Sequence, residues 1–133
     1  MIGAATRRYV RDRAEYRCEY CQLQQDDLPF FNHQIEHIIA IQHGGGDDEA
    51  NLAWACSHCN LHKGPNLSGI DPISGNIETL YNPRQQMWND HFEFLGSTLL
   101  GMTPCGRATV RVLAMNAEDR IEMREEIQQA REG

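Results

Sequence analysis

Four of the five cysteines fall into two Cys-x-x-Cys pairs, Cys18 with Cys21 and Cys56 with Cys59. Two pairs of thiolates suit a tetrahedral zinc ion, which prefers sulfur and has no redox chemistry of its own. Four protein ligands also leave no open position for a reactive water, so the ion implied by this spacing is a structural Zn2+. Its removal is expected to unfold the segment between the pairs, and that segment contains Glu36, His37 and Asn51, with Asn60 just beyond it. The opening Met-Ile-Gly-Ala-Ala-Thr-Arg-Arg turns basic before any apolar run of export-signal length. The thiols are therefore expected to stay reduced in the cytoplasm and to act as ligands rather than disulfides. Cys105 has no partner in the pattern and reads as a small buried hydrophobe.

The elements that must position these groups can be read coarsely. Residues 5 to about 15 carry Thr6 as a possible cap and Tyr9, Val10 and Ala14 at helical spacing, which predicts a short helix before the first pair. Residues 22 to 34 read as a loop entering an apolar strand through Phe30 and Phe31, and Gln34-Ile-Glu-His-Ile-Ile-Ala-Ile, rich in β-branched residues, predicts the strand. Gly44-Gly-Gly-Asp-Asp is a loop or tight turn; no Lys-Thr sequel opens a helix, so it is not a phosphate cradle. From Glu49 the spacing of Leu52, Ala53, Ala55 and Cys56 predicts a helix, ended by Gly64 and Pro65. Later turns at Asp71-Pro, Ser74-Gly-Asn and Asn82-Pro separate short runs. The pattern allows a small hairpin near residues 77 to 81, a helix from Pro83 through Trp88 and a strand from His91. Two further helices are expected, over residues 106 to 115 and from Asn116 through Arg131. Trp88, Phe92 and Phe94 read as core aromatics.

The order Cys18-Glu-Tyr-Cys21, Ile35-Glu-His-Ile-Ile39, His43-Gly-Gly-Gly46, Asn51-Leu, Cys56-Ser-His-Cys-Asn60 and Lys63-Gly64 resembles the HNH endonucleases, also called ββα-metal or His-metal finger nucleases. Asn82-Pro-Arg, Trp88-Asn-Asp-His-Phe92 and the stretch from Thr103 to Thr109 are similar to an extension attached to bacterial members. The resemblance implies a small α+β fold: a ββα-metal core stapled by the four-cysteine zinc site, with additional C-terminal helices. It further implies one domain over residues 1–133, its core at about 15–66 and its extension at about 67–133. His37 takes the general-base position, a role suited to a neutral imidazole that accepts a proton from water near neutral pH. Asn60 stands where other members carry a metal-binding histidine, and its amide oxygen suits a hard cation, Mg2+ or Mn2+. Glu36 matches the acidic residue beside the base and is the second expected ligand. Neighbours on a regular strand point to opposite faces, so Glu36 and His37 share a site only if the strand twists or bulges. Asn51 is expected to tie the loop after the histidine strand and so to orient the base. Lys63, His62 and Arg17 are the expected phosphate contacts, with Lys63 foremost.

What the resemblance implies chemically is metal-dependent hydrolysis of DNA phosphodiester bonds at a single cation, leaving 5′-phosphate and 3′-hydroxyl ends. Duplex DNA is expected ahead of RNA. The formal charge of -7 is the wrong sign for affinity built on neutralising phosphates. Its distribution answers part of this. Residues 7 to 17 hold five arginines against two acids, whereas residues 118 to 133 hold six acids against three bases. No apolar stretch is long enough for a transmembrane helix, so no membrane partner is expected. The competing reading is a non-catalytic, zinc-stabilised nucleic-acid or protein interaction module, which a missing base or ligand would favour.

Overall fold

The computed structural model describes residues 2–28, 30 and 32–133; Phe31, expected at the entrance to the first strand, lies outside them. Helix α1, Ala4–Arg13, is followed by the first cysteine pair and a loop into strand β1, Gln34–His37. A glycine-rich excursion leads to strand β2, Leu52–Ala55, and then directly into helix α2, Ser57–Lys63. The two strands are antiparallel, with Ile35 opposite Trp54, Glu36 opposite Ala53 and His37 opposite Leu52.

Strand alternation sorts this pair into two faces. Val10 of α1 packs with Leu52, Trp54 and Ile35 on one face. Ala53, Ala55 and Ile38 join a larger cluster on the other, together with all four paired cysteines, Tyr20, Phe92, Leu99 and Leu113. Arg13 at the end of α1 donates to the carbonyls of Leu52 at 2.7 Å and Glu49 at 3.1 Å, which fixes the helix to the start of β2.

Beyond α2 the chain forms a hairpin of β3, Ser68–Ile70, and β4, Ile77–Thr79, then α3, Trp88–His91, a second hairpin of β5, Phe92–Leu95, and β6, Thr98–Gly101, and helices α4, Pro104–Val112, and α5, Glu118–Glu132. The whole is a small mixed α/β arrangement of five helices and three antiparallel strand pairs among the described residues. Thr103 caps α4 through Gly106 N–H, with Pro104 in the first turn. Asp71 is buried against Arg107, whose guanidinium donates two bonds of 2.8 and 2.9 Å, and this ties the first hairpin to α4. No helix among the described residues is long and apolar enough to cross a membrane.

Several expectations change. The first strand ends at His37 and the chain then turns, because Asn51 takes both backbone groups of Ile39 in place of a neighbouring strand. The helix expected from Glu49 is strand β2 up to Ala55, and helix begins only at Ser57. All four β2 side chains are buried, so two packed faces override the helical leaning of two alanines. Residues 83 to 86 make a turn, not a helix: Asn82 Oδ1 accepts from Arg84 N–H at 2.9 Å, and the short helix comes later at Trp88.

Candidate functional site

Cys18 and Cys21 flank a tight turn in which Cys21 N–H points at Cys18 Sγ, 3.4 Å away, and Cys59 N–H does the same to Cys56 Sγ at the start of α2. Both bonds stabilise a thiolate, and together they aim four sulfurs at one point. The four Sγ atoms lie within 4.8 Å of one another, all in buried residues. Tetrahedral ligands about 2.3 Å from zinc sit about 3.8 Å apart, and Cys21 Sγ to Cys56 Sγ is 3.7 Å. The donor set therefore fits zinc, and none of the five cysteines is in a disulfide.

A cation with no signature in the motif borders this centre. Arg120 Nη2 of α5 lies 3.5 Å from Cys56 Sγ. Burial alone would lower the pKa of this guanidinium, but the sulfurs of Cys56, Cys21 and Cys59 outweigh it and raise it. Arg124, one turn later, donates to the carbonyls of Ser97 and Met115 at 2.7 Å each, pinning the helix in place.

The last two residues of β1 differ sharply in exposure. His37, with 22% of its side chain exposed, lines an open cleft of about 440 Å³ whose wall also includes Asn60, Gln42 and Pro65. Its Nε2 lies 2.8 Å from Oδ1 of Asp47. The bond to His37 holds the Asp47 carboxyl below its ordinary range. Asn51 organises the loop that carries Asp47: its Oδ1 accepts from Ile39 N–H, and its Nδ2 donates to the carbonyls of Ile39 and Gly46, each at 2.9 Å. Gly45 is required here, since a Cβ would fall 1.7 Å from the Ile39 carbonyl oxygen.

Glu36 also borders this cleft, but its carboxylate is turned inward to Tyr20 and Lys63. It is 3% exposed, accepts from Tyr20 O–H at 2.6 Å, and pairs through Oε1 with Lys63 Nζ at 2.5 Å. Burial raises the Glu36 pKa, and Lys63 offsets part of the rise. Lys63, the only lysine of the chain, is 2% exposed and also donates to the Ile38 carbonyl at 2.9 Å. The expected phosphate contact is thus an internal strut joining α2 to β1, because its ammonium is spent on Glu36 and on backbone oxygens.

The structure brings His37, Glu36 and Asn60 to one cleft and leaves Lys63, His62 and Arg17 outside its lining. His62 packs its ring on His58, centroids 4.2 Å apart, while His58 bonds the Ala114 carbonyl at 2.9 Å. Arg17 borders a separate groove of about 700 Å³ that Arg124 and Arg131 also line. With the Gln24 amide turned oxygen-inward, Arg17 donates to it at 2.9 and 3.0 Å. His33 is 4% exposed and bonded to the Leu23 carbonyl. Asp47, Tyr20 and Arg120 were missed by sequence reasoning. Only Asp47 left a trace, as an acid following a glycine run.

No curated protein and no solved structure matches the chain. A sequence model of the HNH endonuclease family matches residues 18–66, the stretch that holds both cysteine pairs, β1, β2 and α2. With four cysteines clustered at metal-binding distance inside that stretch, residues 18–66 are an HNH endonuclease domain of the zinc-containing type.

Proposed function

We propose that the protein is a divalent-metal-dependent endonuclease that hydrolyses DNA phosphodiester bonds with His37 as general base, and that β1, β2 and α2 are its ββα-metal core. The observation that carries this reading is the shared cleft: an imidazole at the end of β1 and the Asn60 carboxamide on α2 open onto one space within the family's stretch. His37 takes a proton from water, the water oxygen forms a bond to phosphorus, and the bond to the 3′ oxygen breaks; that oxygen leaves with the electron pair and is protonated by solvent. Magnesium or manganese, when bound, would supply charge neutralisation at the phosphate and at the departing oxygen. Asn60 Oδ1 is the donor that this cleft offers such a cation, beside water and the phosphate itself. Glu36 could join it only by giving up Lys63, so no step of this mechanism depends on Glu36.

The substrate read here is duplex DNA. Arg7 and Arg8 on the exposed side of α1, a helix packed on the His37 face of the strand pair, supply positive charge in an otherwise acidic chain. The sealing of Glu36 is the one observation that favours the second reading, a zinc-stabilised interaction module without catalysis. Incubation of the zinc-loaded protein with supercoiled plasmid in magnesium or manganese separates the two. Nicked or linear product that falls by a factor of about 10² or more in His37→Ala supports the nuclease. Cutting that persists without His37 overturns the mechanism, and no cutting in either metal favours the module.

A further inference from the structure

Asp47 belongs to the Gly44-Gly-Gly-Asp-Asp turn, and its loop is built to reach His37. Gly45 crosses the Ile39 carbonyl at a distance that no side chain allows, and Asn51 clamps Ile39 and Gly46 from the far side. The residue delivered next, Asp47, places Oδ1 at 2.8 Å from His37 Nε2. An ionised carboxylate can only accept a hydrogen bond, so Nε2 must be the donor and carry the ring proton. A neutral imidazole with its proton on Nε2 has its lone pair on Nδ1. His37 lines the cleft and Asp47 holds its ring from outside that lining.

We infer that Asp47 is the positioning residue of His37, holding the ring by Nε2 so that Nδ1 is the atom that takes the proton from the attacking water. The inference rests on the nuclease reading above and adds to it the atom and the residue that selects it. In the step, water's proton goes to Nδ1 while the Nε2 proton stays on the ring, still donated to Asp47. The resulting imidazolium faces a carboxylate and not bare solvent, which stabilises the charge as it forms. Asp47 itself gains no proton. Glu36 and Lys63 pair with each other behind the strand.

The test uses the full zinc-loaded chain with 15N-labelled histidine. Two-bond proton–nitrogen spectra at alkaline pH, assigned with a His37→Gln variant, report which nitrogen carries the proton. The expected result is the Nε2–H form in the wild-type chain. Asp47→Asn, whose amide can either donate or accept, should mix the two forms and lower kcat on plasmid DNA about 10- to 100-fold. Asp47→Glu, which restores a carboxylate, should recover part of the rate, and KM should change less than twofold throughout. A wild-type chain that cuts DNA with the proton on Nδ1 overturns the inference alone. So does an Asp47→Asn variant with unchanged tautomer and unchanged kcat; if that variant does not fold, the wild-type tautomer decides. A chain that shows the Nε2–H form yet cuts no DNA in magnesium or manganese overturns the nuclease reading, and the proton-acceptor role of Nδ1 with it.

Discussion

The two sides of the β1–β2 pair are built on opposite plans. Behind it, four sulfurs, the Tyr20 hydroxyl, the Glu36 carboxylate and the Lys63 ammonium are packed together at 4% exposure or less. In front of it, His37 and Asp47 meet at 22% and 43% side-chain exposure, on a loop of glycines held by one asparagine amide. Polar groups withdrawn from water must be paired, and each one behind the strands finds a partner of opposite charge or a hydrogen bond. Groups that must exchange protons with water have to remain reachable by it. One strand serves both plans because its residues alternate: the Glu36 carboxylate is tied into the scaffold, while the His37 ring stays open to the cleft that both residues border.

The largest effect that can break this comparison is metal removal. Structural zinc contributes about 10–16 kcal/mol of apparent binding energy in small domains, more than the stability of a typical chain of this size. Chelation, or Cys59→Ser, should abolish the cooperative thermal transition and the near-ultraviolet circular dichroism of Trp54 and Tyr20, and added zinc should restore both after chelation. A chelated chain that melts as before would show that the sealed side stands without its ion. Next comes Lys63→Met, which leaves the Glu36 carboxylate buried and unpaired; breaking such a pair costs about 3–5 kcal/mol, read by urea denaturation. The double variant Glu36→Leu with Lys63→Met should regain much of that loss, since an apolar pair of similar volume needs no counter-charge. An unchanged midpoint in Lys63→Met would mean that the ammonium is no strut.

How much of this was legible before the structure depends on whether the signal was local. The cysteine pairs were legible because metal geometry demands two ligands at each turn, and their spacing survives in the sequence. Helices α1 and α5 were legible from periodicity but not from caps: Gly3, not Thr6, precedes α1, Ala117 precedes α5, and neither start has a side-chain cap. Strand β2 was not, because Leu52-Ala-Trp-Ala55 carries no alternation when both faces are buried, and alanine favours helix in isolation. Lys63 looked like a surface cation since lysine is seldom buried; its partner, Glu36, lies 27 positions earlier and meets it only after the chain folds. Nor does residue type announce the turn into the first cysteine pair, where Glu15 and Tyr16 both adopt left-handed backbone without a glycine. Strand alternation did warn that Glu36 and His37 would differ in surroundings: both border the cleft, but the Glu36 side chain is buried and the His37 ring is partly exposed.

A smaller effect tests the front of the pair. Asn51→Ala removes three hydrogen bonds that hold the glycine loop and should cost about 1–3 kcal/mol by urea denaturation, with plasmid cutting falling further than stability because Asp47 loses its footing. Equal loss of stability and no loss of cutting would show that the loop does not serve His37.

The smallest effect concerns whether the acidic C-terminal helix belongs to the zinc centre. None of the residues of α5 is buried; Met123 and Ile127 only lean on the core, so its docking depends on its arginines. Four thiolates around one zinc ion leave about two surplus negative charges, and Arg120 is the cation nearest to them by measured contact, at 3.5 Å from Cys56 Sγ. Helix docking and metal retention must then support each other by the same free energy, because coupling between two events is reciprocal. A hydrogen bond from a charged group is worth about 1.5–3 kcal/mol when well formed, and a sulfur acceptor at this distance should give less, near 1 kcal/mol. Arg120→Gln should therefore leave the fold intact and speed zinc transfer to a colorimetric chelator roughly fivefold, a factor that corresponds to about 1 kcal/mol. The same variant, stripped of zinc and compared with the stripped wild-type chain, should show no difference in proteolysis of α5, since the sulfur cluster that Arg120 meets is unfolded in both. Release at the wild-type rate would mean that the sulfurs hold their ion without help from the helix, and the sealed side of the molecule would end at Cys59.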